Sequence, residues 1–248
     1  TAQNATKLKG KLAPLFTRFL YPWADGIVAV SQGVAKDLAD TSNIPISRIQ
    51  TIYNPVISPE MLDSAKEPLE HEWFAPGAPP VILGVGKLES QKDFPNLIRA
   101  FAKVRQSQLA RLMILGWGPD RPQLEALIKE LGLEADVKLP GYMQNPYAYL
   151  ARSAVFVLSS AWEGLPTVLI EAMALGIPVV STDCESGPSE ILADGKYGYL
   201  TPVGDSEALA DVILQGLSGQ LKSLDSSWLA QFEVETATQK YLNILGFA

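Results

Sequence analysis

The chain has 248 residues, of which 47% are hydrophobic and 19% charged, and its 27 acidic and 20 basic side chains give a net charge of −7. This composition excludes intrinsic disorder, and the acidic balance excludes a general nucleic-acid binder, which needs a basic surface. The single cysteine excludes an internal disulfide. Because no uncharged apolar run reaches the roughly 18 residues of a membrane span and no signal-peptide pattern is present, we expect a cytoplasmic protein.

The first 24 residues carry four basic side chains, no acidic one, and interleaved apolar and aromatic residues. Such a segment is typical of peripheral contact with an anionic membrane, here the inner membrane face. The helical spacing of its apolar residues favours the alternative, a helix packed on a neighbouring element with its lysines in water. The chain begins with Thr1 instead of methionine, from which we expect a trimmed or truncated start.

Two short strands and a helix are predicted before residue 54. Apolar runs at 27–30 and 49–53 predict the strands, and Ser31 is placed as the N-cap of a helix that continues through Leu38. Six prolines then fall between residues 54 and 80. This density of proline predicts an irregular, proline-rich linker.

From residue 81 onward, predicted strands alternate with helices. The strands are continuous apolar runs, as expected when helices cover both faces of a parallel sheet. The sequence therefore predicts an α/β fold with a doubly wound parallel sheet, which binds ligands outside the carboxyl ends of its strands. Residues from 221 onward show only a helical pattern. The predicted strands of this sheet are 81–85, 112–115, 137–139, 155–158, 179–182 and 199–201.

A glycine and two lysines follow the first strand of this sheet, at Gly86, Lys87 and Lys92. Glycine lets a phosphate approach the backbone closely, and the ammonium groups neutralise its charge. The glycine spacing matches neither a Walker A loop nor a dinucleotide-binding fingerprint. The alternative, a solvated loop with surface lysines, is favoured when this loop is considered alone.

The most informative loop runs from Ser159 to Glu171 and contains the turn 164–166 before a helix. Backbone N–H groups near 165–168 would lie at the positive end of that helix and favour an anion. Glu163 and Glu171 bracket this point with two acceptors suited to the hydroxyls of a sugar. In the alternative interpretation, Glu163 only stabilises the helix dipole and Glu171 is solvated.

Metal and thiol chemistry have little support in the sequence. No His, Cys, Asp and Glu cluster has the spacing of metal ligands, so we expect no metal site. The only histidine, His71, lies in the proline-rich segment, far from Cys184. We therefore interpret Cys184 as a small, buried apolar residue.

Taken together, these motifs resemble the retaining glycosyltransferases of family 4 (glycosyl transferases group 1), which have the GT-B fold of two Rossmann-like domains facing across a cleft. Residues 86–101, 116–124 and 137–142 are similar to three signatures of the family's nucleotide domain. Glu163 and Glu171 fit its E-x7-E motif, and 24–31 looks like the last strand and helix of its acceptor domain.

The resemblance implies a role for each candidate residue. Lys87 and Lys92 would hold the donor's diphosphate, Glu163 would contact the donor sugar, and Glu171 would contact the ribose hydroxyls. Lys87 stands where the family usually has arginine, so the bidentate fork is lost there. The distal phosphate would be bound by the backbone of Gly164, Leu165, Pro166, Thr167 and Val168. The base would contact the backbone of Gly141, Tyr142 and Met143.

The resemblance also implies a domain plan. Residues 1–53 would be the tail of the N-terminal acceptor domain and 54–80 the linker. Residues 81–220 would be the nucleotide-sugar-binding domain, and 221–248 would be helices that cross back. Because most of an acceptor domain is missing, we expect the donor-binding half of a truncated or partial enzyme, inactive by itself.

The implied activity is a metal-independent, cofactor-independent transfer of a hexosyl or N-acetylhexosaminyl group, with retention, in polysaccharide or glycolipid biosynthesis. The donor would be a UDP-, GDP- or ADP-sugar, and neither the base nor the acceptor follows from the sequence. Two alternatives remain open, a nucleotide-sugar epimerase on the same fold and a non-catalytic nucleotide-binding module.

Overall fold

The computed structural model describes residues 17–219, 222 and 224–247. Most of the basic N-terminal segment therefore lies outside the described residues, and so do the three lysines at positions 7, 9 and 11. Across the described residues, no helix is both long enough and apolar enough to cross a bilayer.

Six parallel strands form the central sheet. In chain order they are β3 (Val81–Val85), β4 (Arg111–Leu115), β5 (Val137–Gly141), β6 (Val155–Leu158), β7 (Val179–Thr182) and β8 (Tyr199–Thr201). Across the sheet their order is β5-β4-β3-β6-β7-β8. This order reverses between β3 and β6, as in doubly wound nucleotide-binding folds, so the predicted fold class is confirmed. The continuous apolar runs predict these strands to within one or two residues at their ends.

Helices cover both faces of this sheet because alternate strand residues point to opposite sides. On β3, Ile82 belongs to the core of one face, while Val81 and Leu83 belong to the core of the other. The first face packs against α3 (Phe94–Ser107), α4 (Arg121–Glu130) and α8 (Ser206–Leu217). The second packs against α5 (Tyr147–Leu150), α6 (Thr167–Ala174) and α7 (Pro188–Ile191).

A smaller N-terminal unit precedes the main sheet. Its two strands, β1 (Ile27–Ala29) and β2 (Ile49–Thr51), pair in parallel and flank α1 (Gln32–Ser42). The predicted N-cap of α1 is confirmed, since Ser31 Oγ accepts a hydrogen bond from the Val34 amide. This unit has a small core of its own, separate from the two cores of the main sheet.

The segment predicted as an irregular linker, 54–80, contains a helix, so that prediction was wrong in this respect. Helix α2 (Pro59–Lys66) begins at a proline, which lacks only an N–H that the first helical turn leaves unpaired. Ser58 caps it by accepting from the Met61 amide. Arg152, just past α5, donates to the carbonyl of Ala65. The segment is therefore packed on the domain.

The C-terminal part returns to the N-terminal unit. After α9 (Ser226–Leu229), the carbonyl of Phe232 accepts from the amides of Val56 and Ile57, at 2.9 and 3.0 Å. In helix α10 (Val234–Leu245), the Ile244 side chain lies close to Gly26, the residue before β1. These contacts join the C-terminal segment to the chain just before β1 and just after β2, while the domain boundaries stay a prediction.

Gly116 allows the loops after β3 and β4 to touch through their backbones. Its φ is +143°, and a Cβ atom there would overlap the carbonyl oxygen of Gly86. Two hydrogen bonds then join the loops, from the Leu88 amide to the Trp117 carbonyl and from the Asp120 amide to the Leu88 carbonyl. The arrangement of the two loops at the carboxyl ends of β3 and β4 therefore depends on glycine at position 116.

Gly116→Ala should destabilise the fold far more than Gly132→Ala. Gly132 also has a positive φ, +67°, but nothing lies within 4 Å of its Cβ position. Alanine is more strained at φ +143° than at φ +67°, and only at position 116 does it also clash, so we expect the free energy of unfolding to fall by at least about 2 kcal/mol more at position 116. Urea unfolding measures both, and equal losses would contradict the close approach.

Candidate active site

A largely buried ion pair joins the loops that follow β3 and β6. Lys92 Nζ lies 2.5 Å from Glu163 Oε1, and the two side chains are 17% and 7% exposed. β3 and β6 are the strands between which the sheet order reverses, the place where doubly wound folds bind ligands. Two of the three predicted catalytic residues therefore meet at the switch point.

Glu163 has two further hydrogen-bond partners. Ser160 Oγ donates to Oε1 over 2.7 Å, and Gln91 Nε2 lies 3.5 Å from Oε2. Gln91 Nε2 also donates to the Trp162 carbonyl over 3.0 Å. Burial of an unpaired carboxylate is costly, and these donors together with Lys92 offset that cost. The Glu163 carboxylate is held in one orientation.

The two loops are also joined through their backbones. The Ala161 amide donates to the Gln91 carbonyl over 2.8 Å, and Ser159 Oγ donates to the Lys92 carbonyl over 2.7 Å. Both bonds involve residues at or just before Lys92 and Glu163 in sequence. They fix the separation of the loops and hence the position of Lys92 relative to Glu163.

A short 3₁₀ turn, Ser90–Lys92, returns the chain over the end of β3. Asp93 follows with φ +43° and caps α3 by accepting from the Asn96 amide. The stem of Lys92 then lies across Gly86, where a Cβ atom would be 3.0 Å from Lys92 Cε. A side chain at position 86 would therefore push the Lys92 ammonium away from Glu163.

The N-terminus of α6 offers an anion site beside this pair. Pro166 is the N-cap of the helix, has no N–H, and provides no side-chain cap. Within the described part of the chain, no group accepts from four N–H groups of the turn and the first helical residues. Unpaired N–H groups at the positive end of a helix favour a negatively charged ligand. They belong to Gly164, Leu165, Thr167 and Val168.

Glu171 lies one turn into α6 and is mostly buried. Burial raises the pKa of its carboxyl to about 7. Burial, and then the charge of Glu171, raise the pKa of the Tyr147 phenol. Within the described part of the chain, the backbone carbonyl of Glu171 accepts from the Leu175 amide, but no hydrogen bond involves the carboxylate oxygens. Its oxygens are thus available to a ligand.

The structure places the other predicted site residues away from the ion pair. The side chain of Lys87 is 73% exposed, and its Nζ lies 3.5 Å from Glu89 Oε1. Gly141 ends β5, two strands from β3 and hence about 10 Å away. Tyr142 is 78% exposed, and Met143 packs at the margin of a core. None of the described contacts joins these residues to Glu163.

The prediction for Cys184 is confirmed. Its side chain is buried, and burial followed by the nearby Glu163 charge raises the pKa of the thiol to about 12. A thiol in this environment stays protonated at neutral pH and does not act as a nucleophile. Among the described residues, no three His, Cys, Asp or Glu side chains lie close enough together to share a metal ion.

The sequence did not identify the supporting polar groups of the site. Ser160 and Gln91 hold Glu163, and Thr182 Oγ1 donates to the Ser160 carbonyl over 2.6 Å. All three are small or common polar residues near strand ends, and no spacing rule marks them. Position directly after an apolar strand is the signal that would have marked Ser159 and Ser160.

A family model described as "Glycosyl transferases group 1" matches residues 66–228, more than half of the chain. The chain belongs to this family. An uncharacterised glycosyltransferase of Methanocaldococcus jannaschii is 32% identical over 254 residues, covering 95% of this chain and 62% of the relative. A relative from Campylobacter jejuni is 34% identical over 226 residues, covering 90% of this chain and 59% of the relative. Its name is N-acetylgalactosamine-N,N'-diacetylbacillosaminyl-diphospho-undecaprenol 4-alpha-N-acetylgalactosaminyltransferase. The chain thus spans about three fifths of the length of these curated relatives.

Solved structures confirm the fold of the family in this chain. The crystal structure of Anabaena HepE in complex with UDP has a TM-score of 0.80 and 22% identity, covering 100% of this chain and 70% of HepE. At this identity the likeness concerns the fold alone. The predicted resemblance to a GT-B glycosyltransferase is therefore confirmed.

Glu171→Gln should change how the stability of the fold depends on pH. The folded protein raises the pKa of this carboxyl from 4.5 to about 7, so between these values the folded state holds a proton that the unfolded state has released. Stability is therefore lost as pH rises through this window. Relative to Glu171→Gln, the parent should lose as much as about 3 kcal/mol between pH 4.5 and pH 8.

Urea unfolding across this pH range measures the effect. Glu130→Gln, which removes an exposed carboxylate from α4, reports the consequence of losing one charge alone. If the parent and Glu171→Gln keep a constant difference at every pH, Glu171 does not titrate in this window.

Proposed function

We propose that this chain is the donor-binding part of a glycosyltransferase that transfers a sugar from a nucleoside-diphosphate sugar to an acceptor with retention of configuration. The observation that carries the proposal is the buried Lys92–Glu163 pair at the switch point, next to the uncapped N-terminus of α6. A cation, a fixed carboxylate and an anion site within one loop cluster suit a sugar attached to a diphosphate.

In this proposal the diphosphate lies at the N-terminus of α6. Lys92 and the helix N–H groups stabilise the negative charge that develops on the departing nucleotide, without a metal. Glu163, fixed by Lys92 and Ser160, accepts hydrogen bonds from the donor sugar. The mobile Lys87 leaves Glu89 and adds a second positive charge. A hexosyl or N-acetylhexosaminyl group is the proposed cargo.

The nucleoside would extend from the diphosphate toward Glu171 and the end of β5. The buried Glu171 carboxylate accepts from vicinal ribose hydroxyls in its charged form. The distance of about two strand spacings between β3 and β5 suits a base held by the backbone at 141–143. HepE was crystallised with UDP and with UDP-glucose, which makes uridine donors the first class to test.

The whole enzyme would combine this chain with an N-terminal acceptor domain. The Campylobacter relative is named for a diphospho-undecaprenol acceptor, and a lipid-linked acceptor is the class we propose. An acceptor of that kind places the enzyme at the inner face of a membrane, as a cytoplasmic protein in peripheral contact.

Glu163→Gln should abolish most turnover while nucleotide binding persists. The amide keeps the shape and one acceptor of the side chain but removes the charge that Lys92 compensates and the donor sugar contacts. We expect turnover to fall by at least about 100-fold and the Kd of the nucleoside diphosphate to change by less than about threefold. Release of nucleotide from the donor, by the full product of the gene, measures turnover.

Glu125→Gln is the matched control, because Glu125 is an exposed carboxylate paired with Arg121 on α4. Unchanged turnover in Glu163→Gln would overturn the role of Glu163. Donor incubated without acceptor also separates the rival functions, since an epimerase returns epimerised donor and a non-catalytic module returns the donor intact.

Lys92→Gln should weaken nucleoside-diphosphate binding more than Lys87→Gln. Loss of Lys92 leaves the Glu163 charge uncompensated beside the phosphates, whereas loss of Lys87 removes only an exposed cation. We expect losses of about 30-fold and about fivefold in affinity by calorimetry. Arginine at position 92, which keeps the charge, should recover part of the loss. Equal losses at both positions would contradict this division of roles.

A further inference from the structure

Ser31 connects the N-terminal unit to the turn before α6. Its side chain is fully buried, and Oγ donates to the Gly164 carbonyl over 2.9 Å. The same oxygen accepts from the Val34 amide over 3.1 Å and so caps α1. The Ser31 hydroxyl therefore caps α1 and also holds the Gly164 carbonyl in the turn that carries the anion site.

The bond to Gly164 decides where the next N–H group points. The peptide bonds of the described residues are all trans, so the carbonyl of Gly164 and the N–H of Leu165 lie in one plane and point in opposite directions. Because Ser31 holds the carbonyl on the side of α1, the Leu165 N–H is directed away from α1. The Leu165 N–H is one of the four N–H groups at the start of α6 for which the described part of the chain provides no acceptor.

From this geometry we infer that Ser31 is a positioning residue for the distal phosphate of the donor: it orients the Gly164–Leu165 peptide so that the Leu165 N–H faces the phosphate. The inference rests on the proposed function. If Ser31 has this role, the geometry of the phosphate site depends on a residue of the N-terminal unit. Ser31 lies outside the three nucleotide-domain signatures at 86–101, 116–124 and 137–142.

A second set of contacts prevents α1 from moving relative to this peptide. The Glu190 carboxylate on α7 accepts from the Gln32 amide at 2.8 and 3.0 Å and from the Tyr53 hydroxyl at 2.7 Å. The negative charge also lies at the positive end of α1, where it is favoured. The first residue of α1 is thereby fixed to the nucleotide-binding domain.

Gly187 encloses the same carbonyl from another side. Its φ is +93°, and a Cβ atom there would lie 3.1 Å from the Gly164 oxygen and closer still to the Pro166 ring. Glycine at position 187 therefore leaves the space that the Gly164 carbonyl occupies. Among the described side chains, Ser31 is the only one that donates to this carbonyl, so the Ser31 hydroxyl is what fixes the plane of the Gly164–Leu165 peptide.

The test compares Ser31→Ala with Ser58→Ala in the 248-residue chain. Both variants remove a serine N-cap, but Ser58 caps α2 and donates to no group of the site. Calorimetry with UDP, GDP and ADP identifies the base, and the matching nucleoside monophosphate is then titrated. We expect Ser31→Ala to weaken the diphosphate about tenfold, the worth of one hydrogen bond to a charged group, and to leave the monophosphate unchanged.

Ser31→Thr should restore diphosphate affinity because it restores the hydroxyl, and Ser58→Ala should match the parent for both ligands. If Ser31→Ala does not fold, Ser31→Cys keeps the shape with a weak donor and is expected to show the same selective loss. Equal losses for diphosphate and monophosphate, or no loss, would overturn the inference. Failure of the parent to bind any diphosphate would instead overturn the proposed function, and the inference with it.

Discussion

The pairing of Lys92 with Glu163 is the constraint on which the rest of the site depends. Either charge alone would be costly at this depth, and removal of one partner of a buried pair typically costs about 3–5 kcal/mol. The pair therefore keeps the loops after β3 and β6 together. It also compensates the carboxylate, so that the field at the N-terminus of α6 still favours an anion although Glu163 lies beside it.

Close approach of backbones follows from this constraint. Gly86 leaves room for the stem of Lys92, which lies across it on the way to Glu163. The loop after β3 also packs against the backbone of Gly116 and accepts a hydrogen bond from Ser159. Side chains at these positions are absent or short because the neighbouring loop occupies the space. The polar groups that remain are hydroxyls and amides, which can be satisfied at short range without further volume.

The sequence was sufficient to predict the sheet, and two of its candidate site residues, Lys92 and Glu163, are the ones that the structure brings together. Continuous apolar runs specify buried parallel strands. The position of Glu163 just before a helix could be predicted from the neighbouring residues alone. The helix in 54–80 was missed because prolines were counted as breakers, although Pro59 follows a capping serine. The Ser31–Gly164 bond spans 133 residues, and no local pattern encodes a pairing at that separation.

Lys87 and Lys92 looked equivalent in the sequence, and burial is what separates them. Lys92 is fixed, and its charge is already matched by Glu163. On the proposed function, a bound diphosphate adds negative charge that Lys92, shared with Glu163, offsets only in part, so a second cation is useful. An exposed ion pair contributes only about 0–1 kcal/mol, so Lys87 can leave Glu89 at little cost. A single flexible ammonium on Lys87 suits this second role, while the fixed Lys92 both orients Glu163 and supplies the first cation at the proposed diphosphate site.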